Sequence, residues 1–201
     1  IGFNTIIVGG NKKAIEIYQK IENQPRSLGN KFIGFLNIAE KENLLILSEN
    51  GINVGLLNYT YGTNGIPFSD PAYVNLLDFN LIKRDVINAK KKKLDKLIVF
   101  VHWGYEYKDF PSSYQKKFND FFQKVGVDVV IGSHPHVIQP MIYNSDGNKE
   151  FLTVYSLGNF VSNQRAERKD GGAMLRLSFE KNDNNILISR KEYIPVWVHK
   201  F

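Results

Sequence analysis

Two apolar runs, each preceded by an amphipathic segment, constrain the fold of this 201-residue chain more than any other feature. Residues 97–101 and 127–131 are rich in Val, Ile and Leu, and helical spacing of apolar residues precedes them at 78–90 and 112–124. Strands of this composition that alternate with helices lie in parallel sheets covered on both faces. The sequence therefore predicts an α/β fold, whose ligands collect beyond the carboxyl ends of the strands.

The first 40 residues predict a separate β-α-β unit. Residues 3–8 and 32–36 have the composition of strands, and helical spacing at 13–22 lies between them. This order favours a parallel pair with a right-handed crossover. The Gly9-Gly10 turn also resembles a nucleotide loop, but the full G-x-G-x-x-G spacing is missing, so we rank a nucleotide-binding domain last.

Residues 41–201 predict a second domain that opens with a β-hairpin. Its strands, at 44–48 and 52–59, are joined by a short turn that ends at Gly51. The loop that follows is long, and because long ordered loops often carry function, we expect Tyr61 and Asn64 to contact a ligand. The remaining strands are expected to pair in antiparallel fashion, at 151–156, 173–179 and 186–198.

Composition and charge exclude several classes of site. The chain has no cysteine, which excludes disulfides and thiolate metal ligands. Its 26 Lys and Arg against 20 Asp and Glu give a net charge of +6, which suits an anionic partner, but no recognised basic motif predicts nucleic-acid binding. The first residues lack the basic region of a signal peptide, and no apolar run reaches the roughly 18 residues of a membrane span. Because the sequence begins at Ile1 instead of an initiator Met, we expect a fragment or a processed chain.

Three of the four histidines follow the two apolar strands directly. His102 follows one strand, while His134 and His136 follow the other, and Pro135 is expected to hold His134 extended so that both rings project to one side. Three neighbouring imidazoles predict a divalent metal site, for Mn²⁺ or Zn²⁺. The alternative is a set of loop histidines that merely form hydrogen bonds.

Other polar residues at these strand ends are candidates for chemistry. Glu106 is a candidate catalytic base or a residue that orients an imidazole, as is Asp109, although either carboxylate could equally be solvated. Trp103 and Ser133 lie beside the histidines and are candidate ligand-binding residues. We discount Ser133 as a nucleophile, because no G-x-S-x-G elbow surrounds it.

A dense polar stretch follows residue 156. In it Asn159 is a candidate catalytic residue, and Gln164 and Arg165 are candidates for binding an anionic or amide-rich ligand. A turn whose Asn and Ser side chains satisfy backbone groups explains the same residues equally well.

Three motifs, taken in order, resemble the CapA family of capsule-synthesis and poly-γ-glutamate biosynthesis proteins. They are HWG at 102–104, GSHPHV at 132–137 and YSLGNF at 155–160. The resemblance implies a calcineurin-like metallophosphoesterase fold, an αββα sandwich that holds two divalent metals between sheet ends. It also implies that His102 matches an isolated metal-ligand histidine, and that His134 and His136 match a G-H-x-H pair.

The chain departs from that family at its start. The family's Gly-Asp strand end and Asn-Leu-Glu segment have no counterpart, and in the only candidate for the Asn-Asn-His motif, Asn11 matches but Lys12 replaces the histidine. Residues 1–37 instead resemble a Rossmann-type segment of polyprenyl glycosylphosphotransferases, which would make the chain a chimera. We therefore expect a partial αββα sandwich preceded by a β-α-β segment.

The expected function is in capsule or poly-γ-glutamate synthesis, with a partial metal-dependent phosphoesterase-type site whose activity is weak or lost. The resemblance implies an anionic surface polymer or its precursor as ligand, membrane-associated synthesis proteins as partners, and an extracytoplasmic place in the cell envelope. The alternative is a non-catalytic module that binds polyanions or acts as a scaffold in polymer export.

Overall fold

The computed structural model describes residues 4–8, 31–36, 44–65, 74–146, 149–160, 162–164, 166–182 and 185–197. Strands β1 (Asn4–Val8) and β2 (Lys31–Leu36) form a parallel pair of their own. This confirms the parallel pairing predicted for the first segment. The helix predicted at 13–22 and the Gly9-Gly10 turn lie outside the described residues.

A six-stranded mixed sheet forms the centre of the rest of the described chain, with the strand order β3-β4-β5-β6-β8-β7. The inner strands β4, β5, β6 and β8 run parallel, and the outer strands β3 and β7 run antiparallel to their neighbours. The six strands are β3 (Leu45–Glu49), β4 (Ile52–Thr60), β5 (Lys96–His102), β6 (Val129–Ser133), β7 (Met141–Ser145) and β8 (Glu150–Val154).

The predicted hairpin between β3 and β4 is confirmed. Asn50 and Gly51 form its two-residue turn, with φ angles of 51° and 74°. Two successive positive φ angles match the twist of the flanking strands, and Asn-Gly is the pair that adopts them at least cost.

Helices α1 (Phe79–Lys90) and α2 (Ser113–Val125) cover one face of the sheet. The side chain of Asp78 caps α1 by accepting from the Leu81 amide at 2.8 Å. The cap of α2 is reciprocal, because Ser112 and Gln115 each accept a hydrogen bond from the other's backbone amide. Their apolar faces bury Ile82 and Val86 of α1 and Phe118 and Phe122 of α2.

A second layer, the β9–β10 hairpin, covers the opposite face. Strands β9 (Gly171–Lys181) and β10 (Ile186–Trp197) pair antiparallel, and Ile188 is buried against the sheet. Alternate residues of β5 serve the two faces: Val99 joins the helical side and Ile98 the hairpin side. The described elements therefore form three layers, helices, sheet and hairpin, as a partial αββα sandwich requires.

The predicted antiparallel pairing is confirmed for β9 and β10 and is only half right for β8. Residues 151–156 were expected in an antiparallel region, but β8 lies inside the main sheet and pairs parallel with β6. The antiparallel partner on its other side is β7, which the sequence patterns missed. In the described part of the chain, no helix combines the length and the apolar character needed to cross a membrane.

A buried ion pair lies inside the sheet, at the end opposite the histidines, and its carboxylate also binds the hairpin. Lys96 Nζ lies 3.2 Å from Glu150 Oε2, and both side chains are less than a tenth exposed. Glu150 also accepts from the Tyr143 hydroxyl at 2.6 Å and from the Ile188 amide of β10 at 2.9 Å. One carboxylate thus connects β5, β7, β8 and β10.

Candidate functional site

The three histidines lie together at the carboxyl edge of the parallel sheet. His102 ends β5 and pairs in register with Ser133, the last residue of β6, so that residues following β6 lie next to it. The ring centroids of His102 and His134 are 4.6 Å apart, and those of His134 and His136 are 6.2 Å apart. The predicted clustering of the three imidazoles is confirmed.

The backbone that carries His134 and His136 differs from the predicted extended form. Their φ angles are 104° and 59°, and residues other than glycine rarely adopt positive φ angles. Hydrogen bonds from the loop after β5 hold this conformation: Trp103 N donates to Ser133 O at 3.1 Å, and Tyr107 N donates to Pro135 O at 2.7 Å. Such strained residues persist only where their surroundings fix them, which is typical of functional sites.

Burial keeps His102 neutral. The pKa of His102 is lowered from 6.5 to about 4, chiefly because its ring is buried and further because His134 and His136 lie beside it, while the charge of Glu106 opposes the shift. Burial also lowers the pKa of His134. At neutral pH these two rings therefore carry no charge and keep one unprotonated nitrogen each.

Tyr61 covers the His102–His134 pair. Its ring stacks on His102 at a centroid distance of 5.8 Å and contacts His134 at 4.7 Å. Its hydroxyl donates to the Asn64 side chain, and its backbone amide donates to His102 O at 2.9 Å. The structure thus places Tyr61 against the histidines and Asn64 against Tyr61, and their role in binding a ligand stays a prediction.

Ser133 contacts His102 directly. Its Oγ lies 3.2 Å from Nδ1 of His102 and donates to the carbonyl of Val101 at 3.5 Å. A serine hydroxyl can donate or accept, so this contact holds the ring of His102 in place with either ring nitrogen protonated.

Asn159 holds His136. Asn159 is only 7% exposed. Its Oδ1 lies 2.8 Å from Nδ1 of His136, and its Nδ2 lies 3.1 Å from Oε1 of Gln164. The predicted polar stretch therefore reaches the histidines through Asn159, with Gln164 behind it.

The loop after β5 is fixed from two sides. From below, the buried Gln139 side chain donates to Lys108 O at 2.8 Å and accepts from Gln115 Nε2 at 2.8 Å. From above, Gln164 Nε2 donates to the Tyr107 hydroxyl at 3.0 Å, and Lys169 Nζ lies 3.5 Å from the centre of the Tyr107 ring. Tyr107 in turn stacks on His136, with centroids 5.9 Å apart.

Sequence reasoning missed Tyr107, Gln139 and Lys169 as residues that shape the site. Gln115 and Gln139 are deeply buried, but no periodic pattern or spacing in the sequence marks a buried amide. Only Tyr107 gave a signal, because it lies in the predicted motif region directly after Glu106.

The other predicted site residues have different positions. Glu106 is exposed, and it acts on His102 and His134 through its charge. The prediction that Trp103 binds a ligand is wrong. Its side chain is fully buried in the core, and its ring N–H donates to Tyr155 O at 2.9 Å. Asp109 pairs with Arg168 at 2.5 Å. Arg165 lies outside the described residues, as do Asn11 and Lys12.

The donor chemistry of the cluster fits a divalent metal in part. Neutral imidazoles with free electron pairs suit Zn²⁺ or Mn²⁺. Among the described residues, however, no group of three or more His, Asp or Glu side chains is arranged to hold a metal ion. The histidines therefore supply ligands of the right type without forming a complete metal centre in the described part of the chain.

Comparison with known proteins agrees with the sequence motifs. The profile of a family described as bacterial capsule synthesis protein PGA_cap matches residues 24–164, and so begins inside the first predicted segment. The chain is 33% identical over 116 residues to the PGA biosynthesis protein CapA of Bacillus subtilis, which covers 57% of the chain and 28% of that protein. It is 28% identical over 156 residues to the capsule biosynthesis protein CapA of Bacillus anthracis, covering 75% and 37% respectively.

The chain therefore spans only about a third of the length of each of these two relatives. Among solved structures, the Thermus thermophilus sulfate thiohydrolase SoxB is similar with a TM-score of 0.53 at 14% identity, over 94% of this chain and 32% of that one. A likeness at this identity concerns the fold alone, and it agrees with the α/β class that the sequence predicted.

Proposed function

This chain belongs to the bacterial capsule synthesis protein family PGA_cap, and from that membership we propose that its histidine cluster is the site at which it acts in capsule synthesis. The observation that carries the proposal is the meeting of His102, His134 and His136 at one edge of the sheet, from two neighbouring strand ends. Ligands of α/β sheets collect at such an edge.

We propose that the three imidazoles contribute ligands to a site for a divalent metal ion. A bound ion of this kind polarises an oxygen of the substrate and makes water a better nucleophile. The residues around it have separate tasks. Burial keeps His102 neutral and able to bind, and Tyr61 shields two of the rings from water. We assign to Glu106 the role of the base that takes up a proton, because its charge acts on His102 and His134.

Hydrolytic activity of this chain is expected to be weak. Three neutral ligands offset none of the charge of a divalent ion, and the described residues add no carboxylate arranged to share it. A second metal ion would therefore be poorly compensated. We propose an anionic surface polymer or its precursor as the substrate, in keeping with the net charge of +6, and membrane-associated synthesis proteins of the cell envelope as partners.

Calorimetric titration of the chelator-treated protein with Zn²⁺ and Mn²⁺ tests the proposal. We expect one equivalent of metal to bind, and His134→Ala to weaken that binding at least tenfold. Lys83→Ala, at an exposed position of α1, is the control and should leave binding unchanged.

Absence of binding to the unaltered protein would reject the metal site. The alternative, a module that binds polyanions, would then predict binding of poly-γ-glutamate that weakens steeply as salt is raised, since such binding rests on screened charges.

A further inference from the structure

The amide group of Asn159 can be oriented in only one way. Its Nδ2 lies 2.7 Å from Lys169 O, 3.1 Å from Gln164 Oε1 and 3.4 Å from His136 O. Two of these three acceptors are backbone carbonyls, which cannot donate. The NH₂ group must therefore face them, and Oδ1 must face the His136 ring.

This orientation decides which ring nitrogen of His136 carries the proton. Oδ1 of Asn159 is an acceptor only, and it lies 2.8 Å from Nδ1 of His136. A hydrogen bond at that distance requires Nδ1 to be the donor. We propose that Asn159 is a positioning residue that fixes His136 as its Nδ1–H tautomer and leaves Nε2 as the electron-pair donor.

Asn159 also grips the backbone of the residue that it orients. Through Nδ2 it contacts the carbonyl of His136, whose φ of 59° needs such support. Because one side chain contacts both the ring and the main chain of His136, ring orientation and backbone conformation are fixed together.

A second layer of contacts holds Asn159 in place. Gln164 accepts a hydrogen bond from Asn159 and donates one to the Tyr107 hydroxyl. The ring of Tyr107 in turn stacks on the ring of His136. The four side chains form a closed circuit between the loop after β5, the turn after β6 and the segment after β8. Asn159 itself carries no titratable proton, so the role proposed for it here is to position His136.

The consequence for metal binding rests on the proposed function, but the tautomer does not. Histidine ligands usually donate their second N–H to an oxygen acceptor, and loss of that acceptor typically costs 10- to 100-fold in metal affinity. Asn159 would be this acceptor for His136.

Nitrogen-15 NMR of histidine-labelled, metal-free protein at neutral pH tests the inference. We expect His136 to show a protonated Nδ1 and an unprotonated Nε2. Asn159→Ala should move it toward a mixture of both tautomers, while Lys83→Ala, at an exposed position of α1, should leave the tautomer unchanged. A protonated Nε2 in the unaltered protein overturns the inference, whether or not the variants fold.

Zinc titration of the same proteins separates this inference from the proposed function. A fixed Nδ1–H tautomer together with zinc binding that Asn159→Ala weakens 10- to 100-fold supports both. The tautomer without any zinc binding supports the role of Asn159 and rejects the metal site. Zinc binding that Asn159→Ala leaves intact, with an unchanged tautomer, rejects the role of Asn159.

Discussion

At the scale of single residues, the site is governed by neutral imidazoles. His102 is partly covered by Tyr61 and lies beside two further histidines, so its protonated form loses solvation and meets other potential cations. Both effects favour the neutral ring. The site thus offers electron pairs at neutral pH and resists becoming positively charged.

This environment makes the stability of the metal-free protein depend on pH. In the folded protein the pKa of His102 is about 4, and in the unfolded chain it returns to about 6.5. Below pH 6.5 only the unfolded chain gains the proton, so the stability from His102 is complete above pH 6.5 and is lost as the pH falls toward 4. At about 1.4 kcal/mol per pH unit, the loss reaches at most about 3 kcal/mol.

Urea unfolding of the chelator-treated protein between pH 7 and pH 4 measures this loss. The matched variant is His102→Gln, whose unfolding free energy should fall less steeply over the same range, because its side chain does not titrate. Parallel curves for the two proteins would show that His102 is solvated and would contradict its burial.

The sequence allowed the residues at the site to be predicted better than their roles. Histidines after two apolar strands must meet when the strands are neighbours, and they do. Trp103 was misjudged because a large aromatic at a strand end can face a ligand or the core, and only the packing against Phe122 and Tyr155 decides. The tautomer of His136 depends on Asn159, 23 residues away, and such pairing has no local signature.

At the scale of elements, local signals predicted most of the fold. Helical spacing placed α1 and α2 within a residue or two of their observed ends, and Asn50-Gly51 specified the hairpin. Strand β7 was missed because it is an edge strand of mixed polarity, half-exposed along its length. Strand β8 does pair antiparallel with β7, its neighbour in sequence, but its parallel pairing with β6 was missed because local patterns give no sign of a partner further away in the chain.

The cap of α2 should contribute measurably to stability. Ser112→Ala removes the acceptor for the Gln115 amide and one partner of the reciprocal cap. We expect the free energy of unfolding to fall by about 1 kcal/mol. The control is Ser113→Ala, the exposed neighbour inside the helix, which should change stability by less than about 0.5 kcal/mol. Equal effects of the two substitutions would contradict the observed cap.

At the scale of the whole molecule, Glu150 connects the layers. Glu150→Leu leaves the Lys96 ammonium buried, with Asp128 at 3.8 Å as its remaining ion-pair partner, and removes the acceptor of the Ile188 amide. Breaking a buried pair from one side typically costs about 3–5 kcal/mol. Chemical denaturation should show a loss of this size, with faster hydrogen exchange at Ile188.

Glu192 provides the comparison for that measurement. It pairs with Arg176 and Arg190 but is 44% exposed, so Glu192→Leu should cost less than about 1 kcal/mol. If both substitutions destabilise the protein equally, Glu150 does not hold the hairpin to the sheet.

The parallel centre of the sheet also sets the order in which the chain can assemble. The β3–β4 and β9–β10 hairpins join neighbours in sequence, and such units form within about 1–10 μs. Strands β4, β5, β6 and β8 pair only after intervening helices or strands have been looped out, which costs chain entropy before any contact is gained. The carboxyl edge, where the three histidines meet, therefore forms in the slowest step of folding. Until that step, a newly synthesised chain has no assembled histidine site.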